Sequence, residues 1–244
     1  MKRVTRVLKP MLSLVLAAVF FSCNSGTEKK EEATKTEDTA TTAATTTTPP
    51  PATFTPFDVA EISHVVKDYG KWRPVFDADS VNRKAAGMEN IVVGRGIDNS
   101  NNILIALKIA DVAKAKAFSS DPKLRELMGK AGVISKPDIE LFHVIRFNPD
   151  SNEKQWVIIT HKVKDFDAWL KVYDGEGTAQ RASEGMTDVA LARGIDDPNL
   201  VHIVFDITDM TKAKAAIMSD AKKKLMMSAG VEGAPKIEFY QTAE

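Results

Sequence analysis

Apolar and polar residues alternate from Val59 to Val66. The alternation puts Ala60, Ile62, His64 and Val66 on one side and Val59, Glu61, Ser63 and Val65 on the other, the period of a strand. The pattern returns further on, with Val157, Ile159, His161 and Val163 on the matching face. The period then lengthens. Tyr69, Trp72 and Phe76 follow Asp68 at helical spacing, and Phe166, Trp169 and Tyr173 follow Asp165, so each aspartate reads as a helix N-cap. Pro74 lacks the amide proton that a helix interior needs. The first copy is therefore expected to open with a short turn and to begin its regular helix near Arg73. Ile91 to Ile97 and Ile103 to Ile109 form a strand pair around Asp98-Asn99-Ser100-Asn101, repeated as Val189 to Ile195 and Val201 to Ile207. Asp111 and Asp209 cap the next helical regions, and Asp121-Pro122 splits the first of them. Gly132 and Gly230 sit where a left-handed C-cap is wanted, and Ile139 to Ile145 and Ile237 to Gln241 close the copies as strands.

The two copies share words as well as periods. "HVVKDYGKWRPVFD" from His64 answers "HKVKDFDAWLKVYD" from His161, and "MGKAGVISKPDIELF" from Met128 answers "MMSAGVEGAPKIEFY" from Met226. The shift is 97 residues at the start and 98 thereafter, so at most a one-residue gap separates them. A repeat of this length is domain-sized. Residues 57–148 and 153–244 are therefore read as two copies of one β-α-β-β-α-β unit, the ferredoxin-like order. The order, with the repeated "H-x-V-K-D-[YF]-x-x-W" opening, resembles the dimeric α/β-barrel superfamily, which includes antibiotic-biosynthesis-monooxygenase-like domains. The resemblance implies an α+β protein whose two repeats pack sheet to sheet within one chain, where relatives commonly use a homodimer. It implies no single chemistry, because one fold hosts many.

The chain begins with a basic stretch, Lys2, Arg3, Arg6 and Lys9. An apolar run from Met11 to Phe21 follows, too short to span a bilayer as a mature helix. It ends in Phe20-Phe21-Ser22-Cys23, which resembles the lipobox of bacterial lipoproteins, with Phe20 where Leu is usual. Residues 1–23 are read as a lipoprotein signal peptide ending at the lipid-bearing Cys23; an ordinary secretory signal with an incidental Cys is the alternative. Cys23 is the single cysteine, so the expectation is a chain without internal disulfides, anchored in the cell envelope through acyl chains. Asn24 follows Cys23 and favours the outer membrane, on its periplasmic or surface face. Residues 24–56, rich in Thr and Pro, are too poor in large apolar side chains to offset ordering entropy. They are read as a disordered tether, and a glycosylated stalk is also compatible with them.

With 33 basic and 33 acidic residues and no basic stripe, the chain lacks the electrostatic footprint of a nucleic-acid binder. The absence of Cys pairs and of His-rich spacings argues against a dedicated metal site, and the absence of glycine-rich phosphate loops argues against nucleotide enzymes. No cofactor is expected. The polar and aromatic residues kept in both copies are the candidates: His64 and His161 as acid/base groups, and Trp72, Phe76 and Arg95 with Trp169, Tyr173 and Arg193 as ligand-binding residues. In that reading the aromatics form walls and the guanidinium holds an anion. The same conservation between copies is explained equally by core anchors, strand-end ion pairs and hydrogen-bonded structural histidines. Three functions follow. The first is a module binding a small apolar or anionic molecule. The second is a cofactor-independent monooxygenase-like enzyme with a repeated His as base. The third is a structural surface protein without a pocket.

Overall fold

The computed structural model describes residues 54–243. Cys23, the residues read as a signal peptide and most of the Thr/Pro-rich stretch lie outside the described residues. The first repeat runs β1 (Phe57–Val65), α1 (Tyr69–Ala78), α2 (Ser80–Ala85), β2 (Met88–Gly96), β3 (Asn102–Ile109), α3 (Val112–Ser119), α4 (Pro122–Lys130) and β4 (Asp138–Phe147). The second follows the same course: β5 (Gln155–Val163), α5 (Phe166–Glu176), α6 (Thr178–Ser183), β6 (Met186–Gly194), β7 (Leu200–Ile207), α7 (Met210–Ile217), α8 (Asp220–Ser228) and β8 (Val231–Thr242). Among the described residues no helix is long and apolar enough to cross a membrane.

The capping chemistry sets most helix starts. Asp68, Asp111, Asp165 and Asp209 each accept a hydrogen bond from the backbone amide three residues on. Gly132 and Gly230 both have φ +86°, the left-handed geometry that ends α4 and α8. Two expectations need correction. The first helix does not wait for Arg73 but starts at Tyr69 and carries Pro74 inside it. The Asp68 cap and the burial of Trp72, stacked on Phe76, fix its first turns strongly enough to absorb the lost amide. The helical regions are split in both copies, because Ser219 caps α8 as Asp121 caps α4.

All strands are antiparallel and close into one barrel in the order β1-β3-β2-β8-β5-β7-β6-β4. Each repeat supplies a four-stranded sheet, and the edges join: β2 pairs with β8 from Gly94 to Gly96, and β4 pairs with β6 from Phe142 to Phe147. Closure leaves no free sheet edge. Strand alternation then sorts the core into three layers. The barrel interior holds Val59, Leu104, Phe142, Trp156, Ile158 and Tyr240. The outward faces, carrying Ile62 and Ile105 in one repeat and Ile159 and Ile203 in the other, are covered by that repeat's own helices.

The interior is packed by unequal partners at equivalent positions. Trp156 occupies the place of Val59, and Gly94 the place of Ala192. A Cβ on Gly94 would lie 2.6 Å from the Trp156 ring. Gly94→Ala is therefore expected to destabilise the barrel by about 1–3 kcal/mol through overpacking, measurable by urea unfolding.

Candidate functional site

The pattern that places Val59 and Glu61 inside the barrel turns Ala60, Ile62 and His64 toward α1 to α4. Between that sheet face and the helices lies a cavity of about 80 Å³. Its walls are largely apolar, including Trp72, Phe76, Met88, Leu107 and Leu127. His64 lies at the end of the strand face, 3 % exposed, with its ring edge-on to Trp72 at 5.6 Å. Trp72 in turn stacks on Phe76 at 4.8 Å. Among the described residues neither ring nitrogen of His64 has a hydrogen-bond partner. Burial without a partner penalises the imidazolium and lowers the pKa to about 4, so the ring is neutral at physiological pH. The cavity is an apolar chamber with one unsatisfied polar group in its wall.

A second polar group closes the cavity near its rim. Arg83 of α2 is 7 % exposed, and its guanidinium lies 3.7 Å over the Phe76 ring. It donates to the Phe76 carbonyl at 2.7 Å and stands 3.6 Å from Asp79, which accepts from Asn82 at 2.6 Å. Asp79, Phe118, Leu124 and Leu127 line both the cavity and a surface depression of about 600 Å³, which gives the chamber its way out.

The second repeat builds the same chamber and narrows it. His161 is also 3 % exposed, unpartnered, edge-on to Trp169 at 5.5 Å and lowered to about 4 by burial. The space beside it shrinks to about 50 Å³. Where the first repeat has Phe76, Asp79, Ala86, Asn90 and Leu124, the second has Tyr173, Glu176, Glu184, Asp188 and Lys222. Lys222 reaches Glu176 and, at 2.8 Å, Glu184. Arg181, the counterpart of Arg83, grips Asp188 with Nε at 2.9 Å and Nη2 at 3.1 Å, and the Tyr173 hydroxyl donates to the same carboxylate. Burial and that hydrogen bond push the Tyr173 phenol well above its ordinary range. The second chamber is thus narrower, with Glu176, Arg181 and Lys222 in its wall.

The sequence-derived candidates divide accordingly. His64, Trp72 and Phe76 come together at the first chamber, and His161, Trp169 and Tyr173 at the second. The arginines Arg95 and Arg193 line neither. Arg95 donates to the Ser100 carbonyl at 2.7 Å and lies 4.2 Å over Tyr69; Arg193 donates to the Pro198 carbonyl at 2.9 Å and lies 4.1 Å over Phe166. Each ties a hairpin turn to the first helix of its repeat. The arginines that do line the chambers, Arg83 and Arg181, also recur between the copies, in "NRKAAGM" and "QRASEGM". That recurrence was the available signal. Among the described residues no group of His, Cys, Asp and Glu is arranged to hold a metal ion.

The architecture defines the protein class: an α+β chain in which two ferredoxin-like repeats form one dimeric α/β barrel. No family model matches the chain, and no curated protein matches it. Solved structures do share the fold. A candidate monooxygenase from Fusobacterium nucleatum is similar over 78 % of this chain and 93 % of its own, at 12 % identity and a TM-score of 0.51. An anthrone oxidase-like protein is similar over 77 % of this chain and 92 % of its own, at 14 % identity and a TM-score of 0.51. At such identities the likeness is one of fold.

Proposed function

We propose that the protein is a small-molecule-binding lipoprotein. In this reading the first repeat's chamber takes one largely apolar molecule, and lipidated Cys23 holds the barrel at the bacterial outer membrane. The observation that carries the binding reading is His64: a buried imidazole with two unsatisfied nitrogens in an otherwise apolar cavity. Such a group costs about 1–3 kcal/mol unless something completes its hydrogen bonds. A ligand hydroxyl or carbonyl would complete one of the two, while Trp72, Phe76 and Met88 contact its apolar body. The anchor rests on the basic and apolar order of residues 1–23 and on Cys23 being the single cysteine.

The monooxygenase-like alternative needs His64 to accept a proton from substrate. A pKa of about 4 makes it a weak base at neutral pH, and the imidazolium so formed would have no carboxylate bonded to it. Binding without chemistry is the better fit.

The test is calorimetric titration of the purified protein with ethanol, 1-propanol and 2-propanol, whose size suits a cavity of about 80 Å³. One molecule is expected to bind per chain, with Kd of roughly 0.1 mM or weaker for ligands of so few heavy atoms. Ala60→Leu, which fills the cavity from the centre of β1, is expected to abolish binding while the far-ultraviolet circular dichroism is unchanged. No binding by any of the three, or undiminished binding in Ala60→Leu, would refute the reading.

A further inference from the structure

We infer that the ligand of the first chamber is an acid, whose carboxylate is gripped by Arg83 in the place that Asp188 takes in the second repeat. This deepens the binding reading and rests on it. The two repeats supply an internal comparison at equal backbone geometry. Asn90 pairs with Leu107 and Asp188 with the equivalent Phe205, and both strands carry a bulge immediately afterwards. The arginines are equivalent too. Each lies over an aromatic ring, donates to that residue's carbonyl, and stands 3.6 Å from an acidic side chain, Asp79 or Glu176.

They differ at the other edge of the guanidinium. Arg181 has its Nε and Nη2 occupied by Asp188, a fork-to-fork match of guanidinium and carboxylate. In the first repeat the matching position is Asn90, which is exposed and makes no hydrogen bond to Arg83. Among the described residues the Nε and Nη2 edge of Arg83 therefore has no hydrogen-bond partner, on a side chain that lines the cavity. Asp79 approaches the guanidinium only from its Nη1 side, as Glu176 approaches Arg181, although Lys222 shares the charge of Glu176 and Leu124 cannot share that of Asp79. In the second repeat Arg181 carries Glu176 and Asp188 at the same time, with the same 3.6 Å spacing to the former.

The neighbouring substitutions agree with an incoming acid. Leu124 and Ala86 stand where Lys222 and Glu184 pair in the second repeat, so the first repeat lacks that charged pair and has kept the arginine. The occupant this describes is a small carboxylic acid with an apolar body. Its body lies against Trp72 and Phe76, and its carboxylate is at the rim on Arg83.

The experiment compares propionate with 1-propanol on the purified protein, on Arg83→Gln and on Asn90→Asp, by titration calorimetry at neutral pH. Propionate is expected to bind at least about tenfold more tightly than the alcohol, since charge-assisted hydrogen bonds are the stronger kind. Arg83→Gln should erase that advantage and leave alcohol binding in place. Asn90→Asp supplies the internal carboxylate of the second repeat. It should suppress propionate without loss of thermal stability, which also controls for misfolding of the arginine variant. Equal binding of acid and alcohol, or an acid preference that survives both variants, overturns the acid assignment and leaves a neutral-ligand chamber. Absence of binding by either probe overturns both the assignment and the binding reading beneath it.

Discussion

Lowering the pH from 7 to 4.5 is expected to cost the folded protein roughly 5 kcal/mol, most of it through His64 and His161. Both imidazoles are buried without partners, and burial lowers each pKa from 6.5 to about 4. In the unfolded chain the same rings protonate as the pH drops below 6.5, whereas in the barrel they stay neutral down to about 4. The unfolded state then binds more protons, so stability rises with pH across that window and is lost as pH falls through it. A depression of this size corresponds to roughly 3 kcal/mol per histidine once the window is crossed, a large share of a domain's usual stability. Urea unfolding at pH 7, 5.5 and 4.5 would measure it. In His64→Leu/His161→Leu the slope between pH 6.5 and 4.5 should largely vanish. Each single variant should remove about half, and at low pH the double variant should be the more stable protein. Glu140 and Asp206, whose carboxyls are raised by burial, act in the opposite sense and are present in all variants, so the difference between proteins isolates the histidines. Equal slopes in wild type and double variant would mean that the rings find partners or water, and the orphaned-imidazole basis of the ligand site would go with them.

How far these features could be read in advance depended on whether both copies carried them. The strands, the Asp caps, His64 and its aromatic neighbours were legible because periodicity and repetition report the same thing twice. Arg83 recurs as well, yet it sits in the short helix α2, whose polar run reads as solvated surface. Only the fold of α2 back over Phe76 brings it to the cavity. Arg95 misleads for the converse reason. A charge inside a strand is conspicuous in sequence, but the twist of the hairpin carries its side chain out to Ser100 and Tyr69. The barrel interior was least legible. Its packing depends on which residues of one copy meet different residues of the other, as Trp156 meets Gly94, and no internal repeat encodes a difference.

Another such difference is a buried polar couple in the barrel interior, and removing both members is expected to cost less than the two single removals added together. His202 Nε2 lies 3.2 Å from the Glu61 carboxylate, its Nδ1 lies 3.0 Å from the Thr160 hydroxyl, and its ring stacks on Phe142 at 4.2 Å. Glu61, Thr160 and His202 are all buried. The equivalent positions of the other repeat are Ile158 for Glu61 and Leu104 for His202, both buried in the same barrel. The interior thus accommodates the apolar pair by shape in one half and the polar pair in the other. His202→Leu strands Glu61 beside Glu140, its cross-strand neighbour on β4, whose carboxyl burial already pushes up. Glu61→Ile strands the imidazole. Removing one partner costs about 1–3 kcal/mol, and more where the survivor is a charged carboxylate, because the survivor keeps its desolvation and loses its compensation. The double variant Glu61→Ile/His202→Leu removes both penalties and leaves only the Thr160 hydroxyl without its partner, about 1–3 kcal/mol. It should therefore lie closer to wild type than His202→Leu does, which strands Glu61 and Thr160 together. A double-mutant cycle by urea unfolding at pH 7 is expected to return a coupling of at least about 2 kcal/mol. Additive single effects would mean that the two groups are solvated independently, and the barrel interior would then have to be wet rather than packed.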